Sequence, residues 1–310
     1  MEYITKLGFN NAVQLHKKWL GGKEGGKRMS FKNVCFYNMC DDIEDIDLEG
    51  AKFEYCTFKE ISFTKVNFTK AVFTSVNFEN CLFNKCDFRY AFIFSSQARE
   101  SYLKECDFYL SSFERNFIKE STFEKTDLSY SDMEFTIYFH CDFINCNFNQ
   151  AYMRMTNLTE SSFEKCKINP KDAIGTNFAF TKLDAQNEIQ INRYDETTTF
   201  LNLQCPEKGG YTAFKAAHGF IVKLYIPADA LRSSATSRKC RASKAKVVSI
   251  TTTDGRTHLE EVQSDYDPNF VYRVGETVEV KDFDTNRWNE CSTGIHHFLT
   301  RKEAENYMKM

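Results

Sequence analysis

From Ile43 to Ile168 every fifth position carries a bulky apolar residue, and the register holds over all 26 positions. The run opens Ile43, Leu48, Phe53, Phe58, Phe63, Phe68, Phe73, Phe78, Phe83, Phe88, Ile93, and later passes Phe108, Phe113, Phe123, Phe143, Phe148 and Phe163. Only Ala98 is small. Two residues before each stands a small or β-branched residue, such as Ala51, Val66, Cys86, Ser111 or Cys166, with Asn116 the main exception. A period of five fits neither the 3.6 of an amphipathic helix nor the 2.0 of a strand. It requires a chain that turns a corner every five residues, and a fixed internal period marks a solenoid.

If each unit forms one side of a square, twenty residues close a coil and positions twenty apart stack. One column then reads Leu48, Phe68, Phe88, Phe108, Leu128, Phe148, Ile168, and another Phe63, Phe83, Leu103, Phe123, Phe143, Phe163. Ladders of like-sized side chains fill a narrow tube without voids. The 26 units make 6.5 coils, a rod about 30 Å long at the usual strand spacing. The units resemble the pentapeptide-repeat family at Val66-Asn67-Phe68, Cys86-Asp87-Phe88, Cys106-Asp107-Phe108, Thr126-Asp127-Leu128 and Cys146-Asn147-Phe148. That resemblance implies a β-solenoid of the right-handed quadrilateral β-helix type, placed here at residues 31–183.

Residues 10–20 read as a short helix, capped by Asn10 or Asn11 and ended by Gly21-Gly22, that covers the first coil and packs Trp19 on it. Residues 1–30 are therefore expected to form an N-terminal helical cap. Asn169-Pro170 reads as a stop, because proline lacks the donor that a coil needs. The frame survives faintly at Phe178 and Leu183. Residues 184–210, polar and ending in Pro206 and Gly209-Gly210, read as a closing segment and linker.

From Tyr211 the texture changes to that of a small α+β domain over residues 211–310. Strands are expected at 220–226, 246–251, 270–272, 277–280 and 294–299, with a helical turn at 227–231. A helix is expected over 301–309 under a Thr300/Glu303 capping box. The stretches Val271 to Val278, Glu290 to His296 and Thr300 to Tyr307 look like an uncharacterised domain of phage and viral proteins. That likeness implies a module boundary and no assigned activity.

The total charge of −3 hides an uneven distribution: +5 over residues 1–40, −10 over 41–200 and +2 over 201–310. The solenoid is the acidic part, with outward carboxylates such as Asp41, Asp42, Glu44, Asp45, Asp47 and Glu49 at its opening. Seven of the twelve cysteines occupy the small inward slot and read as buried filler. Cys86/Cys106 and Cys146/Cys166 are one coil apart, but their Cβ vectors run parallel, which is poor disulfide geometry. No zinc-type spacing is present. No metal and no cofactor are expected. Met1 to Phe9 lacks an apolar core flanked by basic residues, and no stretch approaches transmembrane length, so no membrane partner and a cytoplasmic location are expected.

Two segments could carry chemistry. Arg232, Ser233, Ser234, Arg238, Lys239, Arg241 and Lys244 alternate cations with small hydroxyls, which suits an anion held by Arg forks and Ser hydroxyls; the bland alternative is a solvated loop. Glu290, Cys291, His296 and His297 invite a nucleophile or metal reading. On a strand, however, His296 and His297 face opposite sides and make poor joint ligands. The alternative there is a buried Cys and one inward His bonded to backbone.

A stiff rod presents a large fixed surface at little entropic cost. The chain is read as a non-enzymatic protein-interaction scaffold of a phage or bacterial kind. The family resemblance implies a host factor as partner, with topoisomerase one target, because some such rods are acidic DNA mimics. Lys52, Lys59, Lys65 and Lys70 interrupt the acidity of the first coils. The alternative is that the C-terminal domain is an enzyme or a nucleotide/anion-binding module delivered by the rod. Direct nucleic-acid binding is opposed by the acidic rod. The sequence leaves the oligomeric state open.

Overall fold

The computed structural model describes residues 2–37, 43–184 and 186–308. Asp41 and Asp42, and Lys309 of the expected C-terminal helix, lie outside them. The chain divides into two compact units, Met1–Thr199 and Phe200–Met310.

The first unit is a parallel β-solenoid with four faces. Strands twenty residues apart pair in register, as in Phe53↔Phe73, Phe58↔Phe78 and Phe63↔Phe83. Two faces are continuous sheets of seven and eight strands, and the first four strands of another form a third sheet. The fourth face is held by single bridges running from Asp47↔Asn67 to Asn147↔Lys167. We call the faces one to four by their inward columns beginning at Phe53, Phe58, Phe63 and Phe68. Rings stack along each column, with Phe63–Phe83 at 5.0 Å and Phe88–Phe108 at 4.6 Å and nearly parallel. Neighbouring columns meet edge to face, as at Phe58–Phe63, 5.6 Å and 70°. Offset stacks and edge contacts are the two arrangements that ring quadrupoles favour.

The period of five has a backbone cause. The second residue after each inward residue lies in the left-handed region, from Asp45 (φ 51) through Lys65 (φ 53) and Lys125 (φ 50) to Lys165 (φ 52). Each such non-glycine corner costs about 1 kcal/mol. It turns the chain while its N–H still bonds the next coil, as Lys65 N does to Asn84 O at 2.8 Å. Asp or Asn just before the inward residue closes many corners by accepting the N–H two residues on, as Asp107 Oδ1 does from Tyr109 N at 2.9 Å. That side-chain turn is why the unit uses those residues.

The ladder is longer than the sequence frame implied. Ser30–Lys32 and Val34–Tyr37 form the first rungs, with Phe31↔Phe53 and Phe36↔Phe58 offset by two residues more than a coil. The extra residues fall between Tyr37 and Ile43 and hide the register. At the far end Lys167 pairs with Glu188 and Asn177 with Thr199. Pro170 does not stop the solenoid. It falls on a corner whose positive φ proline cannot adopt; Pro170 is buried instead and Lys171 is exposed. Pairing resumes at once, with Lys171 N on Ala151 O at 2.8 Å.

All described inward cysteines are buried and free. Burial pushes the Cys81 and Cys141 thiols up to about 12, so they stay protonated and inert. Ala98 leaves a cavity of about 40 Å³ bordered by Phe78, Ile93, Leu103, Phe113 and Ile118.

The N-terminal helix runs Lys6–Leu20, earlier than expected, because Thr5 rather than an Asn caps it: Thr5 Oγ1 accepts from Gly8 N at 3.1 Å. His16 Nδ1 accepts the Met29 N–H at 3.0 Å and Phe9 packs edge-on to Phe36 at 6.0 Å, which ties the helix to the first rungs. Trp19 stacks on His16 at 5.2 Å, lies 5.6 Å from the Arg28 guanidinium, and remains 40% exposed.

In the second unit, Tyr211–Ala217, Phe220–Ile226, Lys244–Thr251 and His258–Leu259 form an antiparallel sheet in that order, with Thr277–Glu279 also on Lys244–Thr251. Arg232–Ser233, Cys240–Ala242 and Ile295–His297 make a smaller sheet. Val222, Leu224, Ile226, Val247 and Ile250 fill the core. The helix Arg301–Tyr307 starts at the Thr300/Glu303 capping box and packs on Tyr211–Ala217. The helical turn expected at 227–231 is closed by Ala230 N to Pro227 O at 3.1 Å. No helix among the described residues is long and apolar enough to cross a membrane.

Candidate functional site

Outward side chains of the solenoid also stack at period twenty. The corner after face three carries Lys65, Lys85, Lys125 and Lys165, which pair with Glu44 (3.5 Å), Glu105 (3.7 and 3.9 Å) and Glu164 (3.0 Å). On face four, Asp87, Asp107 and Asp127 stack between Asn67 and Asn147. Burial, with Asp127 and Asp87 on either side, raises the Asp107 carboxyl above its ordinary value. The corner after face four is apolar between Lys70 and Gln150: Tyr90, Leu110 and Tyr130 are 51%, 43% and 43% exposed. Tyr109 links them by ring contacts of 6.4 Å to Tyr90 and 5.5 Å to Tyr130. On adjoining face one, Phe92 and Phe94 stack at 5.8 Å. Tyr90, Leu110 and Tyr130 are held by the same rigid corners that hold glutamates and lysines elsewhere.

The second unit holds both segments singled out by sequence. The cation-rich run does not converge on one point. Arg232 donates to the carbonyls of Pro206 (2.7 Å) and Pro227 (2.9 Å). Arg241, 1% exposed, donates to the carbonyls of Asp284, Thr293 and Asn286 at 2.8–2.9 Å and to Ser233 Oγ at 3.2 Å. Ser234 accepts from Gln204 N at 2.7 Å. Arg238 pairs with Glu303 at 2.8 Å and Lys244 with Asp229 at 2.6 Å. Lys239 alone of the run lines the main pocket of the unit.

That pocket, of about 690 Å³, also receives Cys291 and His296. Lys239 Nζ lies 3.6 Å from Cys291 Sγ. His296 Nε2 donates to Glu290 O at 3.1 Å, and burial with nearby Lys239 and Lys215 pushes the ring down to about 4, so it is neutral near pH 7. Strand alternation sends His297 the other way. It is fully buried, with Nδ1 2.9 Å from Ile295 O, Nε2 2.9 Å from Tyr211 OH, and its ring pushed down to about 4 by burial. The Glu290 carboxylate accepts the backbone N–H groups of Thr236 and Ser237, the latter at 2.9 Å. The four candidates are thus not one catalytic cluster. No group of three metal-ligating side chains occurs among the described residues.

Lys215 is the pocket residue that sequence reading missed. It is 7% exposed, its Nζ lies 5.9 Å from the Tyr272 ring, and burial lowers its ammonium below the ordinary lysine value. The signal was present: Ala213, Lys215 and Ala217 share the buried side of one strand, where a lysine is out of place.

A four-sided parallel solenoid built on a five-residue unit, followed by a separate sheet domain, defines the class. Family descriptions for pentapeptide repeats match residues 48–91 and 139–169, and the chain is a pentapeptide-repeat protein. Residues 201–304 match a family of unknown function, DUF5758. A curated relative, uncharacterized protein L223 of Acanthamoeba polyphaga mimivirus, is 38% identical over 96 residues, covering 28% of this chain and 61% of that protein. Among solved structures, a trypsin-treated form of QnrB1, a plasmid-mediated fluoroquinolone resistance protein, is similar at 15% identity over 55% of this chain and 88% of that chain, TM-score 0.35. HetL of Nostoc sp. strain PCC 7120, a pentapeptide repeat protein involved in heterocyst differentiation regulation, is similar at 11% identity over 59% and 96% of the two chains, TM-score 0.19.

Proposed function

We propose that the chain is a non-enzymatic protein-interaction scaffold whose solenoid binds a protein partner. The observation that carries this reading is the apolar strip of Tyr90, Leu110 and Tyr130 with Tyr109, Phe92 and Phe94. Aromatic groups at the centre of a rigid surface are the usual anchors of a protein interface. The backbone beneath them is already ordered, so binding sacrifices little entropy. DNA mimicry is the weaker form of the reading, because lysines of the acidic unit pair with its carboxylates column by column.

The test replaces Tyr90, Leu110 and Tyr130 together by Glu. Glu60, Glu100, Glu120 and Glu160 already occupy corners with the same positive φ, so the variant should fold. Wild type and variant are then compared as bait in a bacterial or host lysate. A protein captured by wild type and lost by the equally stable triple variant supports the scaffold; identical capture by both removes the strip as the interface. A supercoiling assay with purified gyrase at micromolar protein decides whether a topoisomerase is that partner.

A further inference from the structure

We infer that the pocket of the C-terminal unit binds a small phosphate ester bearing a flat ring, with Lys215 as the floor cation and Lys239 as a second. This goes beyond the scaffold reading and concerns a different surface. Lys215 is more than nine-tenths buried, yet it has no hydrogen bond or ion pair among the described residues. The charge of Asp265 acts on it without an ion pair, and Asp265 itself engages the His218 N–H at 2.7 Å. The Lys215 ammonium lines the pocket with the Tyr272 ring at 5.9 Å, and a ligand anion there would supply the counter-charge that a largely buried cation favours. Among the described residues, Lys239 Nζ has the Cys291 thiol as its hydrogen-bond partner, at 3.6 Å. The pocket's carboxylates, Asp267, Glu279 and Asp282, sit at exposed rim positions. Lys281 is exposed there with them, so the two lysines set further in, Lys215 and Lys239, are the cations that face the interior of the pocket.

The donor set selects phosphate. Two ammonium groups stand with the hydroxyls of Ser264 and Thr293, more donors than one carboxylate uses and a match for the terminal oxygens of a phosphate. The ring follows from the walls. Phe298 and Tyr307 are in contact at 5.4 Å, and the Tyr307 hydroxyl meets that of Tyr266 at 3.1 Å. They form one aromatic side to the pocket, and the volume of about 690 Å³ lies within the usual range for small-molecule sites. His296, neutral and donating through Nε2 to Glu290 O, keeps an acceptor nitrogen for the ligand.

Binding of 5′-AMP, adenosine and inorganic phosphate to the full chain is measured by calorimetry, with Lys215→Met and Lys239→Met variants in parallel. AMP should bind at least about tenfold more tightly than either fragment, and Lys215→Met should weaken it by about tenfold to a hundredfold. Lys215→Met keeps the apolar stem and loses only the 5.9 Å contact with the Tyr272 ring, so the melting temperature should stay close to that of wild type. Lys239→Met, at a more open position, provides a second variant whose folding is not in question and should weaken AMP by a smaller factor. A folded wild type that ignores AMP at about 10 mM overturns the inference, as does equal AMP affinity in wild type and both variants. Tight binding of phosphate alone, undiminished without the ring, removes the aromatic part of the claim and with it the assigned ligand class.

Discussion

Ala98→Ile should stabilise the solenoid. Every other position of the inward columns from Phe53 to Ile168 is bulky, and Ala98 leaves an apolar cavity of about 40 Å³ beneath Phe78 and Ile118. The neighbours register the gap: Phe78, Leu103 and Phe113 are 7%, 6% and 6% exposed, whereas Phe53, Phe58 and Phe63 are 1%. The polar groups lining it are satisfied, with Asn116 Nδ2 on Ile93 O at 2.9 Å and its Oδ1 accepting from Ser96 N at 2.9 Å. Such a space is dry, so filling it displaces no bound water. At about 24 cal/mol per Å³, the void is worth about 1 kcal/mol. Three added carbons bring at most about 2.4 kcal/mol by transfer. Ile also suits a strand that already has Ile118 as its neighbour in the column. The net gain should be about 1–2 kcal/mol, a rise of roughly 2–8 °C in the melting temperature of a unit this size. Ile118→Ala enlarges the same cavity and should cost about 2–5 kcal/mol. Thermal unfolding followed by far-ultraviolet circular dichroism reads both. An Ala98→Ile protein with a native spectrum but a lower melting point would show that the space relaxes closed around alanine, and the reasoning would fail.

Arg241→Met should destabilise the C-terminal unit by about 3 kcal/mol or more, because three carbonyls lose their buried donor; a urea midpoint within error of wild type would refute it. Stability of that unit should fall as pH drops below 6.5. His297 titrates near 4 when folded against 6.5 ordinarily, so the unfolded chain binds the extra proton across that window, at up to about 1.4 kcal/mol per pH unit. Urea midpoints at pH 7, 6 and 5 should show the slope, and His297→Gln should remove about half of it, since His296 is pushed down to about 4 as well. Asp107→Asn keeps the bond to Tyr109 N and removes a carboxylate stacked between Asp87 and Asp127. The gain should be a few tenths of a kcal/mol, since the group is partly solvated, and should vanish in 1 M salt; a loss of stability would mean that the acidic column is not repulsive.

What the sequence disclosed, and what it withheld, has a common physical root. The inward columns were legible because burial acts on every fifth residue without regard to what lies on the next coil. Phe53, Phe73 and Phe163 announce themselves one at a time. The solenoid was placed from residue 31, but the rungs at Phe31 and Phe36 stand outside the five-residue frame because two additional residues before Ile43 shift their register, and only the pairing Phe36↔Phe58 reveals it. The aromatic corner escaped for a related reason. Tyr90, Leu110 and Tyr130 are separated by nineteen intervening residues each and form a strip only when read at the period of the coil rather than of the unit. In the C-terminal unit, alternation on a strand correctly parted His296 from His297, since that rule is local. The arginines could not be read that way. Arg241 looked like an anion ligand because its charge is local, but its partners, the carbonyls of Asp284, Asn286 and Thr293, come from a distant segment. A guanidinium with four of its five N–H donors already on three carbonyls and a hydroxyl has little left for a ligand. It follows that Lys215, which sits in a strand of small apolar residues and has no carbonyl partner among the described residues, is a better candidate for holding an anion than the cation-rich run.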